Sequence, residues 1–567
     1  MHDIPVDGAR GATGPGVRRA RWACLGWAGW FSTALAAIAA PHLVVTPDTA
    51  WQDGPCPVVV RRQPAGTEVL ATTNGSAPTA SNGIPVSVLG TLRSTTIVRA
   101  AAFRDGTRVG EPAMASLLFA GDVLAQRGDG FPGNWGTKEG KPVPAYYGFA
   151  PEAVRGAGAA AVLAALRALP VLSIAMDPAD LFGSGRGIYA NPEQSGEAWE
   201  REAAVQFVAA DGTRGFATGA GLRIQGGWNR RPEESPKHSM RLVFRKRYGA
   251  RELRHPLFGA GVDRFETLVL RGGNNHSWLH WSGEERRTAD YLRDPWMRET
   301  YGLMGHLSAR SRFVHVFLNG LYWGVYNLAE RPDAHFVAAR RGGAPGDHDA
   351  RNADKVLSGD EAAWRELFAL ANGGAMDAAR YAGIGALLDL PAFCDYMLLN
   401  FYGANGDWDA SSNWYATRPR RPGGKFEFIV WDGERTLENP ADDRMADDSD
   451  LSPLRLFQKL RAWPGFREEF ASRASRHLAA DGLLGAKAAG ERYRALSEAL
   501  APAIAAEAAR WGDYRRTVHA YKEGPYERYT VEGHWRPEVR RLLGEYFPRR
   551  TEVFAGQLHA AGFPVRP

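Results

Sequence analysis

The chain has 567 residues, more than one hydrophobic core usually organises, so we expect several domains of about 100–200 residues each. Its hydrophobic share of 44% and charged share of 23% are typical of a globular protein and exclude a disordered chain. The net charge of +6 is small for this length and no dense Lys/Arg run occurs, so we expect no nucleic-acid partner.

The first 40 residues predict an export signal. Arginines precede an apolar run over residues 22–40, which ends in small residues with Ala37-Ile38-Ala39 as the expected cleavage site. A run of this length also suffices to span a bilayer, so an uncleaved N-terminal anchor is the alternative. We therefore expect an exported protein that is periplasmic, held at the cell surface or secreted.

Short strand-like segments separated by turn residues predict an all-β sandwich of the Fn3/Ig type over residues 41–125. Two of its segments, ATTNGSAPT (71–79) and TTIVRAAAFRDG (95–106), resemble the Fn3-like accessory domain at the C-terminus of chitobiase and hexosaminidase. The resemblance implies a spacer or a module that lies next to cell-wall polysaccharide and has no chemistry of its own.

The remainder of the chain predicts an α+β fold. Residues 126–168 are rich in Gly and Pro and then helical, which indicates a linker followed by a helix. Strand-like pieces predict an antiparallel, curled, β-rich N-lobe over residues 169–331. Residues 332–567 are mainly helical and form the expected C-lobe, interrupted by one β-hairpin. A cleft between the two lobes is the expected ligand site.

A polar loop and a strand end carry the side chains best suited to chemistry. Asp407 and Asp409 follow a helix, Asn413 opens a strand, and Asp432 ends the next strand. If these strands pair as a hairpin, Asn413 and Asp432 meet at one end and offer oxygen ligands for Mg²⁺ or Mn²⁺. Protein kinases use the same order of a catalytic Asp, a metal-binding Asn and a metal-binding Asp. Because Asp, Asn and Gly also cluster in ordinary turns, a loop without chemistry is the alternative.

The predicted β-rich lobe contributes a lysine and a basic turn. Lys237 stands at the start of a strand, from which its side chain can reach the phosphates of a nucleotide. A solvated strand edge is the alternative for this lysine. Upstream, GLRIQGGWNRR (221–231) can form a turn that faces phosphate, although it is not a Walker A loop. The candidate contacts in this turn are Arg223, Gly226 and Gly227.

Several ordered motifs run from about Leu169 to Phe563 and include GIYANPEQSGEAWERE, GLRIQGG, LRGGNNHSW, VFLNGLYWGVYNLAERPD, NGDWDASSNWYA and FIVWDGERT. Together these motifs resemble the CotH family of spore-coat and secreted kinase-like proteins. The resemblance implies a bilobal, atypical protein-kinase-like fold. It also implies that the protein uses ATP with Mg²⁺ or Mn²⁺ to phosphorylate Ser or Thr on secreted or surface proteins.

The resemblance gives the nucleotide-binding candidates their roles. Lys237 is similar to the nucleotide-phosphate lysine, with Glu299, on the helix that starts at Asp294, as its expected partner. Glu330 resembles the connection between the lobes and is expected to face the nucleotide. For Arg271, at the end of LVLRGG, contact with a phosphate and pairing with a carboxylate are both open.

The resemblance also assigns the catalytic and metal-binding candidates. Asp407 is similar to the catalytic Asp, and Asn413 and Asp432 are similar to the metal ligands. Where the family often reads WD-x-D this chain has WDGE, which makes Glu434 the second acid on the metal side. Asp407 and Asp409 lie six and four positions before Asn413. Neither spacing is the usual kinase one, so both remain catalytic candidates.

The sequence thus supports two functions. The first is a secreted kinase-like phosphotransferase. The second is a non-catalytic cell-surface or coat assembly protein, in which the kinase-like body acts as a scaffold. The turn IQGGWN (224–229) favours the second, because it lacks the hydroxyl of the family's usual R-G-x-S.

Overall fold

The computed structural model describes residues 43–565. The expected export signal over residues 1–40 lies outside this part of the chain. Among the described residues, no helix combines the length and apolar character that crossing a membrane requires.

Residues 43–117 form a β-rich region. Its elements are β1 (Val45–Thr46), β2 (Cys56–Pro57), β3 (Val59–Val60), β4 (Glu68–Thr72), β5 (Ile84–Pro85), α1 (Val86–Leu89), β6 (Thr91–Leu92), β7 (Thr96–Arg104) and β8 (Thr107–Leu117). The main sheet has the order β5-β4-β7-β8, and the pairs β1-β3 and β2-β6 complete the region. The β-rich character is therefore confirmed, and the resemblance to an Fn3-like domain stays a prediction.

Strand β7 shows why this region packs on the rest of the chain. Alternate residues of a strand face opposite sides of the sheet. Val98 and Ala100 face the core of the β-rich region, whereas Ile97 contacts Ala175 and Ala204 in the following domain. Both sides of β7 are thus buried, which joins the β-rich region to the body of the protein.

The segment 126–168, predicted to be a linker and a helix, has more structure than a linker. Its neighbourhood contains α2 (Ala120–Leu124), β9 (Asn134–Lys138), β10 (Lys141–Pro144) and α3 (Ala157–Leu166). The β9-β10 hairpin and the chain after it bury Trp135 and Tyr147 in the core of the following domain, where the indole N–H of Trp135 donates to the Tyr147 hydroxyl at 3.2 Å. Burial of these two aromatic rings fixes the segment despite its Gly and Pro content.

The next domain is a closed seven-stranded barrel. The strands of this part of the chain are β11 (Val171–Ala175), β12 (Arg201–Val208), β13 (Arg214–Ile224), β14 (Met240–Val243), β15 (Leu253–Arg254), β16 (Arg264–Phe265), β17 (Thr267–Arg271), β18 (Ser311–Leu318) and β19 (Leu321–Glu330). The barrel order is β11-β12-β13-β14-β17-β19-β18, and β15 pairs with β16 outside it. The expected antiparallel pairing holds except where β11 meets β18 in parallel, which closes the sheet on itself.

Three helices accompany the barrel: α4 (Pro178–Phe182), α5 (Gly283–Arg287) and α6 (Arg293–Leu303). The helical half follows. Its helices are α7 (Ala334–Arg341), α8 (Ala362–Asn372), α9 (Ala378–Leu387), α10 (Leu390–Tyr402), α11 (Pro453–Leu460), α12 (Pro464–Leu478), α13 (Ala486–Leu500), α14 (Ile504–Trp511), α15 (Tyr514–Thr517), α16 (Arg536–Arg541) and α17 (Phe547–Ala560). The mixed α+β class is confirmed, and the bilobal kinase-like arrangement stays a prediction.

A small sheet in the helical half positions the polar loop, residues 403–413. Its strands are β20 (His348–Asn352), β21 (Lys355–Ser358), β22 (Trp414–Pro419) and β23 (Glu427–Val430), in the order β21-β20-β22-β23. Helix α10 leads into the loop. It begins with Asp389, whose carboxylate accepts from the Ala392 N–H at 3.0 Å as an N-cap. Because α10 is almost wholly buried, its C-terminal end holds the start of the loop in a fixed place.

Candidate functional site

A cleft of about 730 Å³ lies between the outer face of the barrel and the polar loop. This volume is in the range of ligand pockets. Seven of the ten candidate residues from the sequence line it: Arg223, Gly226, Gly227, Asp407, Asn413, Asp432 and Glu434. The other three, Lys237, Glu330 and Asp409, do not line it.

The predicted hairpin brings Asn413 and Asp432 to one end of the cleft. Strands β22 and β23 pair antiparallel with Trp414 opposite Val430, so the residue before β22 and the chain after β23 meet. Asn413 has a φ of 70° and Asp432 a φ of 61°, both in the left-handed region that non-glycine residues rarely adopt. Such backbone costs about 1–3 kcal/mol per residue and is concentrated at functional sites.

Asp407 lies beside this pair. The Asn413 side-chain amide donates to the Asp407 backbone carbonyl, which ties the two residues together. Desolvation in the cleft wall, followed by the charge of Asp432, raises the pKa of the Asp407 carboxyl. A carboxylate with a raised pKa is a better proton acceptor, as a general base requires.

Asp409 has a different environment. Its Oδ1 accepts from the Ser411 N–H at 2.7 Å and from the hydroxyls of Ser411 at 2.8 Å and Ser412 at 3.2 Å. Burial alone would raise the pKa of Asp409, but these hydrogen bonds exceed that effect and lower it. Its carboxylate stabilises the turn, and the geometry therefore favours Asp407 as the catalytic candidate.

Arg271, at the end of β17, joins the acids of the cleft to helix α6. Its Nη2 contacts Asp432 Oδ1 and donates to Glu434 Oε1 at 2.7 Å. Its Nε lies 3.2 Å from Oδ2 of Asp294, in the first turn of α6. Of the two alternatives open for Arg271, pairing with carboxylates is the one observed.

Glu434 is held in place by the chain that follows β17. Its Oε2 accepts from the backbone N–H groups of Asn274 at 3.2 Å and Asn275 at 3.0 Å. Burial, with further contributions from Asp432 and Asp294, raises the pKa of Glu434 to about 7 despite the opposing charge of Arg271.

The glycine turn is locked by an arginine. The Arg230 guanidinium donates to the carbonyls of Gly226 at 2.6 Å, Pro192 at 2.9 Å and Gln194 at 2.8 Å. Gly226 has a φ of 117°, and a Cβ there would collide with the Asn229 side chain. The backbone conformation thus favours glycine at this position, and any larger residue would also displace the Asn229 side chain.

Lys237 is placed differently from what the sequence led us to expect. Its side chain is buried, and its Nζ donates to Glu507 Oε1 and to the Val325 carbonyl, each at 2.6 Å. It pairs with Glu507 of α14 and not with Glu299, because Glu507 supplies the only close carboxylate among the described residues around Nζ. Lys237 therefore does not face the cleft.

Glu330 is also engaged elsewhere. Its carboxylate pairs with Arg340 of α7, and its Oε2 accepts from the Arg310 N–H at 2.9 Å. It lines a second cavity of about 320 Å³ together with Arg340. Glu330 thus fixes α7 to the end of β19 and does not face the cleft that contains Asp432.

Sequence reasoning missed two arginines that line the cleft, Arg241 and Arg331. Arg241 lies between the buried residues Met240 and Leu242, and this alternation indicates an outward side chain. No comparable pattern marks Arg331, which follows β19 directly.

The residues of the cleft fit a divalent cation only in part. Among residues 43–565, no group of three or more His, Cys, Asp or Glu is placed to hold a metal. Asn413 and Asp432 nevertheless offer two oxygen ligands. This number fits Mg²⁺ or Mn²⁺, because such ions commonly take one or two protein oxygens and complete their shell with water and substrate phosphates.

Comparison with known proteins gives one result that identifies the family. A search of curated proteins finds no match. The sequence matches the family described as CotH kinase protein over residues 222–550, which is more than half of the chain. The matched range begins in β13 and contains both Arg271 and the polar loop with its hairpin. The chain therefore belongs to the CotH kinase protein family.

Proposed function

We propose that this protein is a kinase-like phosphotransferase that transfers a phosphoryl group from ATP to a Ser or Thr hydroxyl of another protein. The observation that carries the proposal is the convergence of Asp407, Asn413 and Asp432 in one cleft of a CotH family member. These are the side chains that phosphoryl transfer requires: a proton acceptor and two oxygen ligands for a cation.

Each residue has a defined task in this proposal. Asp407 orients the acceptor hydroxyl and takes its proton on a carboxylate oxygen. Asn413 and Asp432 would hold Mg²⁺ or Mn²⁺, and such an ion neutralises phosphate charge when bound. The Asn413 amide also keeps the Asp407 backbone in place, so the proton acceptor and the cation ligands move as one unit. Catalysis would then consist of positioning and charge stabilisation.

Arg271 and Asp294 supply the strand-to-helix ion pair that kinases use. In protein kinases a strand lysine and a helix glutamate form this pair, and the lysine steadies the phosphates. Here the cation ends β17, the acid lies in the first turn of α6, and Nε and Oδ2 are 3.2 Å apart. We propose that Arg271 has the role that the sequence analysis gave to Lys237.

Thermal stabilisation by nucleotide, together with transfer of labelled phosphate, tests the proposal. ATP with Mn²⁺ should raise the melting temperature of the wild type, and Asp432→Asn should abolish the shift. Asp407→Asn should retain the shift but lose transfer, because Asp407 acts only on the acceptor. Absence of any shift with ATP in both Mg²⁺ and Mn²⁺ would contradict the proposal.

A second candidate function is a non-catalytic scaffold in surface or coat assembly. It is favoured by Arg271, whose guanidinium contacts the oxygens of both Asp432 and Glu434 that a cation would take. An Asp407→Asn/Asp432→Asn double variant separates the two functions. Assembly that continues unchanged in this variant supports the scaffold, and loss of assembly together with transfer supports the kinase.

The acceptor is proposed to be an exported or surface protein, because the sequence of residues 1–40 predicts export. The β-rich region is proposed to lie against cell-wall polysaccharide, as its resemblance implies. A pull-down of the full chain on immobilised wall glycans tests this second point. Recovery equal to that on uncoated resin would exclude it.

A further inference from the structure

Two arginines lie directly opposite each other on the outer face of the barrel. In the register of β13 and β14, Arg223 pairs with Arg241, and Arg241 in turn pairs with Val269 of β17. Like charges in opposed strand positions repel each other and destabilise a sheet. Both arginines nevertheless line the cleft.

Arg331 adds a third positive charge to this face. It follows β19 and also lines the cleft. Its Nη1 contacts Asp333 at 3.2 Å, whereas its buried Nε has no hydrogen-bond partner among the described residues. Burial, followed by the charges of Arg331 and Arg223, lowers the pKa of Arg241 to about 9.

In the described part of the chain, few carboxylates neutralise the positive charges of Arg223, Arg241 and Arg331. The Arg241 Nε donates to the neutral Gln225 Oε1 at 2.8 Å, and no carboxylate within residues 43–565 forms an ion pair with Arg241. Arg223 lies 3.7 Å from Glu200, whose other oxygen is engaged by Arg247 at 2.8 Å. Three arginines thus face one cleft with an excess of donor N–H groups.

The helical half contributes acidic side chains to the same cleft: Asp407, Asp432 and Glu434. A phosphate chain that carries a divalent cation is complementary to the arginines and the acids together, because its oxygens match guanidinium groups and its cation matches carboxylates. Arg241 is one diagonal strand position from Arg271, and such neighbours are typically about 7–8 Å apart, so one phosphate chain can reach both.

We propose that Arg223, Arg241 and Arg331 form an arginine wall that binds the phosphate chain of the nucleotide. This inference relies on the proposed function only to identify the ligand as a nucleotide. Binding of a phosphate chain by the wall does not depend on the proposed function. Beside Arg271, the wall supplies positive charge for the phosphates that the buried Lys237 does not provide.

Inorganic tripolyphosphate without metal is the direct probe of the arginine wall. With EDTA present, tripolyphosphate should bind the full-length wild type and raise its melting temperature. Arg241→Gln should weaken binding at least tenfold. The unliganded Arg241→Gln protein should melt at the same or a higher temperature than wild type, because one of three repelling charges is gone. A purely structural arginine would instead lower the melting temperature on replacement.

Arg254→Gln is the matched control, since Arg254 is an exposed arginine outside this cleft that pairs with Glu252. It should bind tripolyphosphate like the wild type. Equal tripolyphosphate affinity in Arg241→Gln and wild type would overturn the proposal, as would simultaneous binding of ATP and tripolyphosphate without competition.

Asp432→Asn separates failure of this inference from failure of the proposed function. It should still bind tripolyphosphate in EDTA, because the wall requires no cation, and this result supports the wall whether or not transfer occurs. Phosphoryl transfer that is unaffected by Arg241→Gln would instead overturn the wall while leaving the kinase function in place.

Discussion

Lys237 and Glu507 form a buried ion pair that connects the barrel to helix α14, with 2.6 Å between Nζ and Oε1. The Lys237 side chain is fully buried, and only 1% of the Glu507 side chain is exposed. The Lys237 Nζ also donates to the Val325 carbonyl. Charges buried this deeply are costly unless paired. The pair therefore fixes α14 against β19, and it keeps the Lys237 ammonium out of the cleft.

Lys237→Met tests this structural role. Loss of the ammonium leaves the Glu507 carboxylate buried without a counter-charge, so we expect a decrease of about 3–5 kcal/mol in the free energy of unfolding, measured with urea. The double variant Lys237→Met/Glu507→Leu should recover most of this loss, because it removes both charges. A folded Lys237→Met protein of unchanged stability that no longer binds ATP would contradict the role.

Replacing Asp407 and replacing Asp409 should have different effects, the first on phosphoryl transfer and the second on stability. Asp407→Asn should reduce phosphoryl transfer by about 10²–10⁴-fold, the usual contribution of a general base, while the stability stays unchanged. Asp409→Ala should retain transfer but lower the free energy of unfolding by about 0.5–1.5 kcal/mol for each lost turn hydrogen bond. Loss of transfer in Asp409→Ala with normal stability would reverse the assignment.

The environment of Asp395 predicts that the stability of the helical half decreases in acid. Its carboxylate accepts from His306 at 2.8 Å, Arg473 at 2.6 Å and His477 at 3.1 Å. Burial alone would raise the pKa of Asp395, but the bonds from His306 and His477 and the charge of Arg473 hold it well below its usual value.

A carboxyl whose pKa is lower in the folded state stabilises the protein above its unfolded pKa of about 3.9 and loses this contribution as the pH falls below it. Asp395→Asn should therefore cost about 3–5 kcal/mol at pH 7, and the difference from wild type should shrink below about pH 4. Urea denaturation at a series of pH values measures this. A constant difference from pH 7 to pH 3 would contradict the linkage.

The end of the hairpin could be predicted from local sequence patterns. The rest of the site could not, because it depends on contacts between residues that are far apart in sequence. Asn413 and Asp432 were found because β22 and β23 are neighbours in sequence with clear alternation. The partner of Lys237 is 270 positions away, on a helix whose packing no local period reveals. Arg223 and Arg241 lie opposite each other only because of the strand register in the barrel. The Gly- and Pro-rich segment around Trp135 is ordered because this large side chain packs into the core of the following domain.

Gln206 should control the attachment of the β-rich region. Its Oε1 accepts from the Ser116 N–H and its Nε2 donates to the Met114 carbonyl, both at 2.9 Å. Gln206→Ala leaves these buried backbone groups without partners, at about 1–3 kcal/mol each. We expect earlier unfolding of the β-rich region, detected as faster proteolysis near residues 118–133. Glu197→Gln is the control and should be cut like wild type, because Glu197 is exposed and pairs with Arg245 and Arg247 in the barrel part of the chain.

Arg271 predicts a variant that a metal ion stabilises. Arg271→Met removes the guanidinium that compensates Asp294, Asp432 and Glu434, so we expect a loss of about 3–5 kcal/mol in the free energy of unfolding. Because the same change exposes the oxygens of Asp432 and Glu434, Mn²⁺ alone should restore about 2.7 kcal/mol at a hundredfold excess over its dissociation constant. Arg271→Lys keeps a cation there and should gain far less from Mn²⁺. Equal stabilisation of both variants by Mn²⁺ would show that Arg271 does not compete with a cation for these oxygens.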